Sequence, residues 1–190
     1  FLGTFTGLFT GYRGGIVDEL IMRVMDAAMS FPALILAMLV VVMMGSNPVN
    51  VIIALGIVFW PRSARLVRSV VIDVVNREYI QAAKSRGEGL FYILARELFP
   101  NVRVIVIVDF GLRFTYGILL SASLAYLGIG VSPPMPAWGL MVRDGQQFIE
   151  LAPWLVLFPC LALAVTAVGM LLVSERLRRI ANLEEAERGR

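Results

Sequence analysis

Apolar residues run along this chain in blocks long enough to cross a membrane, and a single polar block interrupts them. Between Ala27 and Pro61 no charged residue occurs in 35 positions. One crossing takes about 20 apolar residues to span about 30 Å of hydrocarbon, so this run predicts two helices, joined where Gly45, Ser46, Asn47 and Pro48 supply turn chemistry. The first covers 24–44, with Pro32 near its start, where a missing N–H bends or ends a helix. The second runs from 49 toward 68, with Arg62, Arg65 and Arg68 able to snorkel to the interface. A third span is expected over 102–126 and a fourth over 154–173. The opening FLGTFTGLFTGY reads as the end of a further span that begins upstream of Phe1. Its Gly3, Gly7 and Gly11 are either a seam for a close helix neighbour or ordinary membrane-helix glycines.

Composition agrees with this pattern. The 190 residues are 58% hydrophobic and 16% charged, with a mean hydropathy of +0.80, well above an ordinary soluble domain. The net charge is +3, but the basic residues sit beside apolar runs and form no solvated face, which speaks against nucleic acid as a partner. Of the 17 lysines and arginines, fifteen fall in segments this topology assigns to one side; Arg143 alone falls on the other, and Arg113 lies within a span. The positive-inside rule therefore puts the polar block and both ends in the cytoplasm.

That polar block reads YIQAAKSRGEGLFYILARELFPN over 79–101, and the coupling hairpin is placed at 76–100. It is near-helical on both sides of Gly87 and predicts a short cytoplasmic hairpin, with Gly87 and Gly89 breaking the helix. Leu90, Phe91, Leu94 and Leu98 follow at helical spacing as an apolar stripe. Such a stripe rests on lipid or on a partner protein.

Several chemistries are excluded. The chain has no histidine and one cysteine, Cys160, read as a small core residue, so no disulfide framework can form within it and no transition-metal or zinc site of the usual ligands is expected. No Gly-x-x-x-x-Gly-Lys-Ser/Thr stretch cradles a phosphate, and no catalytic triad can be assembled. No catalytic residue is expected, and the chain is read as no enzyme. Asp109 and Arg113 are the conspicuous charges inside a span, four residues apart on one helix face. Their pairing either fixes helix packing or lines a substrate path.

The motifs resemble a known family. QAAKSRG followed by LFP and Asn101 is similar to the EAA loop of ATP-binding-cassette import permeases. GYRGGIVDELIMRVMDAAMSFPALILA resembles the GYYGG, VDE, MR, D and P-x-L-L-L-A pattern of the oligopeptide, dipeptide and nickel permeases. SLAYLGIGVSPPMPAWGLMV and APWLVLFPCLAL resemble their LSFLGLG-x-x-PP-x-P-x-WG and APW-x-x-x-FPG-x-A-L segments. The resemblance implies an all-α, polytopic transmembrane bundle of the type I importer permease fold, with about four complete spans after a partial first one. It implies a permease domain over 1–174 and a cytoplasmic tail over 175–190, in the cytoplasmic membrane of a bacterium or archaeon.

The resemblance further implies that residues 79–86 and 88–98 are the two helices of a coupling loop, with Gln81, Ala82, Ala83, Gly87, Glu88, Leu90, Phe91, Leu94 and Pro100 as its working residues. Two ATPase subunits, a second permease chain and an extracytoplasmic solute-binding protein would be the partners. ATP would be used by the ATPases, with no cofactor on this chain. Pro133, Pro134, Pro136, Trp138 and Gly139 would belong to the outer surface facing the binding protein. Gln81 departs from the usual glutamate and removes a charge that could pair with an ATPase arginine. The tail SERLRRIAN departs from GD-x-LRD-x-LDP, and the family carries an extra span and a half ahead of Phe1. Two other readings stay open: half of an ion-driven secondary transporter using Asp109, and a scaffold whose hairpin binds a cytoplasmic partner.

Overall fold

The computed structural model describes residues 1–188, with side chains through Ile180, and contains helices and no strand among them. In order these are α1 (Leu2–Arg13), α2 (Gly15–Met29), α3 (Ala33–Met44), α4 (Pro48–Val75), α5 (Glu78–Ser85), α6 (Leu90–Tyr92), a π-helical stretch (Ile93–Leu98), α7 (Phe99–Tyr126), α8 (Trp138–Gly145), a 3₁₀ turn (Gln146–Phe148) and α9 (Trp154–Arg188). Among the described residues three helical stretches are long and apolar enough to cross a bilayer: Pro48–Val75, Leu90–Tyr126 and Trp154–Ile180. A fourth crossing exists if α2 and α3 count as one bent span.

The expected helix over 24–44 is thus corrected. Gly14 and Gly15, both at positive φ, end α1 and open α2 nine residues before position 24. Ser30 and Pro32 then separate α2 from α3, since a proline cannot continue the hydrogen-bond ladder behind it. The turn after α3 is built as expected. Gly45 takes φ +92°, Pro48 opens α4, and the Asn50 side chain donates to the carbonyls of Met44 and Gly45 at 2.8 and 2.9 Å. Those carbonyls would otherwise be orphaned at the end of α3. The last span is also longer than expected, because α9 continues without a break through 175 to Arg188.

The chain divides into two compact units. One comprises Phe1–Ser30, Phe59–Asp109 and the tail from Leu177; the other comprises Phe31–Val58 and Phe110–Arg176. Fourteen of the 17 lysines and arginines belong to the first unit, so the charge asymmetry read along the sequence is also an asymmetry between compact bodies.

In the first unit α1 lies directly on α4. A Cβ added at Gly7 would meet the Ala64 carbonyl oxygen at 2.5 Å and Val67 Cβ at 2.7 Å, and one at Gly11 would meet Val71 Cβ at 2.7 Å. The glycine spacing is therefore a packing seam, of the kind that lets membrane helices associate through close backbone contact. The Trp60 indole N–H donates to Thr6 Oγ1 across the same contact at 2.9 Å. In the second unit Gly139 brings α8 onto the Ala122 carbonyl of α7, and Gly111 faces Ser174 of α9.

The seam generates a prediction. Gly7→Leu should lower stability by about 1–3 kcal/mol, because the new side chain meets backbone that cannot swing aside, whereas Gly56→Ala, inside α4 at a position with no neighbour within 4 Å, should not lower it and should add up to about 1 kcal/mol from helix propensity. Thermal unfolding midpoints in detergent check the pair.

Candidate functional site

The polar block folds as a helix, a tight turn and a second helical arm. Glu78 in the first turn of α5 and Lys84 in its last complement the helix dipole. Gly87 ends the arm at φ +76°, a conformation that costs a side-chain-bearing residue about 1–2 kcal/mol. Gly89 follows in extended conformation and caps α6. Both glycines thus break the helix as expected, though by different geometry.

The second arm departs from expectation. A separate helix over 88–98 and a new span from 102 were foreseen, but Leu90–Tyr126 forms one continuous helical stretch of 37 residues. The signal for a break was Pro100, which has no N–H to donate. The chain absorbs it with the π-helical turn at Ile93–Leu98 just ahead, and the Asn101 side chain donates to the Glu97 carbonyl at 2.6 Å. A π-bulge accommodates an interrupted ladder without ending the helix.

The arms are seated on a closed apolar core. Ile80 and Ala83 from α5, with Ile93, Leu94, Leu98 and Val102 from the second arm, pack with Leu8 of α1 and with Val67, Val71 and Val74 of α4. The expected stripe therefore splits. Leu94 and Leu98 are buried within the unit and Leu90 is half-buried, while Phe91 is 75% exposed beside the exposed Tyr92. The alanine pair splits likewise, Ala83 inward at 0% exposure and Ala82 outward. Lys84 Nζ lies 4.8 Å from the centre of the Tyr12 ring, a cation–π contact that ties α5 to α1.

Gln81 has a local task that the sequence did not reveal. Its amide donates to the Val75 carbonyl at 3.1 Å, satisfying an acceptor at the end of α4. A glutamate could not donate there and would set a negative charge at a helix C-terminus. Glu88 and Glu97 flank Arg86 at 3.6 and 3.9 Å across the turn, and Pro100 is exposed. Partial burial pushes the Tyr79 phenol above its ordinary pKa.

Other expected residues fall elsewhere. Asp109 is 5% exposed and accepts a hydrogen bond from the Ser63 hydroxyl of α4; Arg113, one turn on in α7, is half-buried. Pro133, Pro134 and Pro136 are exposed and Trp138 opens α8 at 40% exposure, but Gly139 is buried against α7 and presents no outer face. Cys160 is exposed, contrary to the core position read for it, and borders an apolar cavity of about 370 Å³ with Leu34, Leu119, Tyr126 and Leu163.

Two of the three α4 arginines expected to snorkel are paired with carboxylates. Arg68 is bound by Asp18 through two bonds of 2.5 Å and Arg65 pairs with Asp26; Arg62 remains exposed. Both carboxylates come from α2, a helix the hydropathy pattern did not separate, so neither was foreseen as a partner.

These helices superpose on a solved permease architecture. The fold is similar to that of a chain in the inward-facing MetNI methionine ABC transporter, with a TM-score of 0.70 over 95% of this chain and 90% of that one at 16% identity. The chain belongs to the family described as binding-protein-dependent transport system inner membrane component, which it matches over residues 3–182. Among curated relatives it is 40% identical to the dipeptide transport system permease protein DppC of Alkalihalophilus pseudofirmus, over 93% of this chain and 58% of that protein. It is 38% identical to the glutathione transport system permease protein GsiD of Pectobacterium atrosepticum, over 93% of this chain and 59% of that protein. The chain thus spans about three fifths of the length of these relatives.

The Gln81 contact yields a prediction. Gln81→Glu should weaken the junction of α4 and α5 by about 0.5–1.5 kcal/mol, the worth of one hydrogen bond. Amide hydrogen exchange over residues 76–80 should quicken in that variant and not in Gln81→Lys, whose ammonium can still donate to the carbonyl.

Proposed function

We propose that this chain is the membrane permease of an importer driven by separate ATPase subunits, and that residues 76–100 are the part those subunits push. The observation that carries the reading is the exposed tip of the element on a rigid seat. Gly87, Gly89 and Phe91 face outward, while the residues behind them are locked into the core shared with α1 and α4. An exposed phenylalanine on a charged cytoplasmic turn is a natural anchor for a partner's cleft. Because the second arm continues into α7, a displacement applied at the tip passes along one helix into the membrane.

The remaining partners follow from the same reading. The candidate spans bury 28%, 17% and 11% of their most apolar windows, which leaves broad apolar faces for lipid and for a second permease chain. A solute-binding protein would deliver the substrate at the outer side, near Pro133 to Trp138. The names of the relatives favour peptides or glutathione as the solute class. The chain contributes no nucleotide site, and ATP acts through the partner ATPases.

Purification of the full-length protein in mild detergent should bring down an ATP-hydrolysing subunit, and its absence would sink the proposal. Uptake driven by a proton or sodium gradient without ATP would instead support the ion-coupled reading through Asp109. Gly87→Val should leave ATPase binding in place but reduce solute imported per ATP by about tenfold, since strain of about 1–3 kcal/mol falls on the turn itself. Transport assays in proteoliposomes decide this, and normal coupling in Gly87→Val would remove the turn from the mechanism.

A further inference from the structure

Three helices of the first unit meet at Arg68. Its backbone lies against the α1 seam: a Cβ at Gly7 would come within 2.9 Å of its amide nitrogen, and one at Gly11 within 3.2 Å of its carbonyl oxygen. Its neighbours in α4, Val67 and Val71, belong to the core under residues 76–100. Its guanidinium crosses to α2 and holds Asp18 in a fork, Nε to Oδ1 and Nη2 to Oδ2, each at 2.5 Å. Asp18 is 7% exposed, so this link between α2 and α4 is better shielded than the one from Asp26 to Arg65. The Arg65–Asp26 pair has both side chains more than half exposed, where an ion pair contributes little.

We infer that the Asp18–Arg68 fork fastens α2 to the element formed by α1, the C-terminal half of α4 and residues 76–100, so that all of them are displaced together. The inference rests on the coupling role proposed above. Asp18 and Arg68 are then positioning residues: they touch neither solute nor nucleotide but carry the push from α4 into α2. The geometry suits a fixed strut, not a latch that opens in each cycle. A planar guanidinium bound at two points resists both rotation and sliding, and separating the pair would leave a carboxylate stranded in a largely closed site.

The test uses the full-length permease assembled with its second permease chain, its ATPases and its solute-binding protein in proteoliposomes, with dialanine and glutathione as probes and solute imported per ATP as the readout. Asp18→Asn should lower that ratio at least about tenfold, within the usual range of coupling energies, while the ATPases stay bound and hydrolyse ATP. The exchange Asp18→Arg with Arg68→Asp should restore most of it, a rescue that a general loss of packing would not show. In a Cys160→Ala background, Asp18→Cys and Arg68→Cys joined by a short bis-thiosulfonate linker should transport at the wild-type ratio. An unchanged ratio in Asp18→Asn, or uptake that stops on cross-linking and returns on reduction, overturns the strut. Should Asp18→Asn fail to assemble, the cross-linked protein decides alone. A wild-type preparation lacking any ATPase would refute the coupling role itself and is distinguishable from all of these.

Discussion

The contact of α1 with α4 is set by three glycines whose missing side chains let two backbones touch, and the architecture of the first unit follows from it. With Gly3, Gly7 and Gly11 against Ser63, Ala64, Val67 and Val71, α1 is held beside the apolar edge of α4 formed by Val67, Val71 and Val74. That edge receives Leu8 from α1 and the buried residues of both arms of the polar block. In hydrocarbon there is no hydrophobic drive to bring helices together, so close packing and polar contacts must do so. The seam supplies the first, and the Asp18–Arg68 and Trp60–Thr6 contacts supply the second.

This arrangement resolves an apparent conflict in the polar block. Its composition is that of a surface loop, yet in the coupling role proposed above a push would be transmitted only through a body that does not yield. The alternation of Ala82 with Ala83, and of Phe91 with Leu94, answers both demands. One member of each pair faces out, and the other is buried where its loss would open a cavity. The smallness of Ala83 matters as much as its apolarity, because a larger residue at 0% exposure would force α5 away from α4.

Continuity of the second arm with α7 has a mechanical consequence. A helix interrupted at Pro100 would act as two rods with a hinge, whereas the π-helical turn at Ile93–Leu98 keeps a single rod with a local adjustment. The same device explains how proline stands next to a membrane entry without ending the helix there. The second unit uses other means, with small residues at Gly111 and Gly139 bringing α9 and α8 onto α7.

Much was legible in the amino-acid order by itself. Blocks of apolar residues determine that the chain spans a membrane, because hydropathy and length act without reference to neighbours. Glycine at 87 determines a turn, and Gly45 to Pro48 determine another, since these residues carry their backbone preferences wherever they stand. What only the tertiary structure decided was partnership. Arg65 and Arg68 could have reached toward water, and became links to α2 because the fold set Asp26 and Asp18 opposite them. Gln81 read as a lost charge and is a donor to Val75, Gly139 read as outer surface and is a packing residue, and Leu94 and Leu98 met their own bundle instead of a partner. A residue type specifies what a side chain can bind; which of several capable groups it meets depends on contacts between segments far apart in the chain, and those arise only when the helices pack.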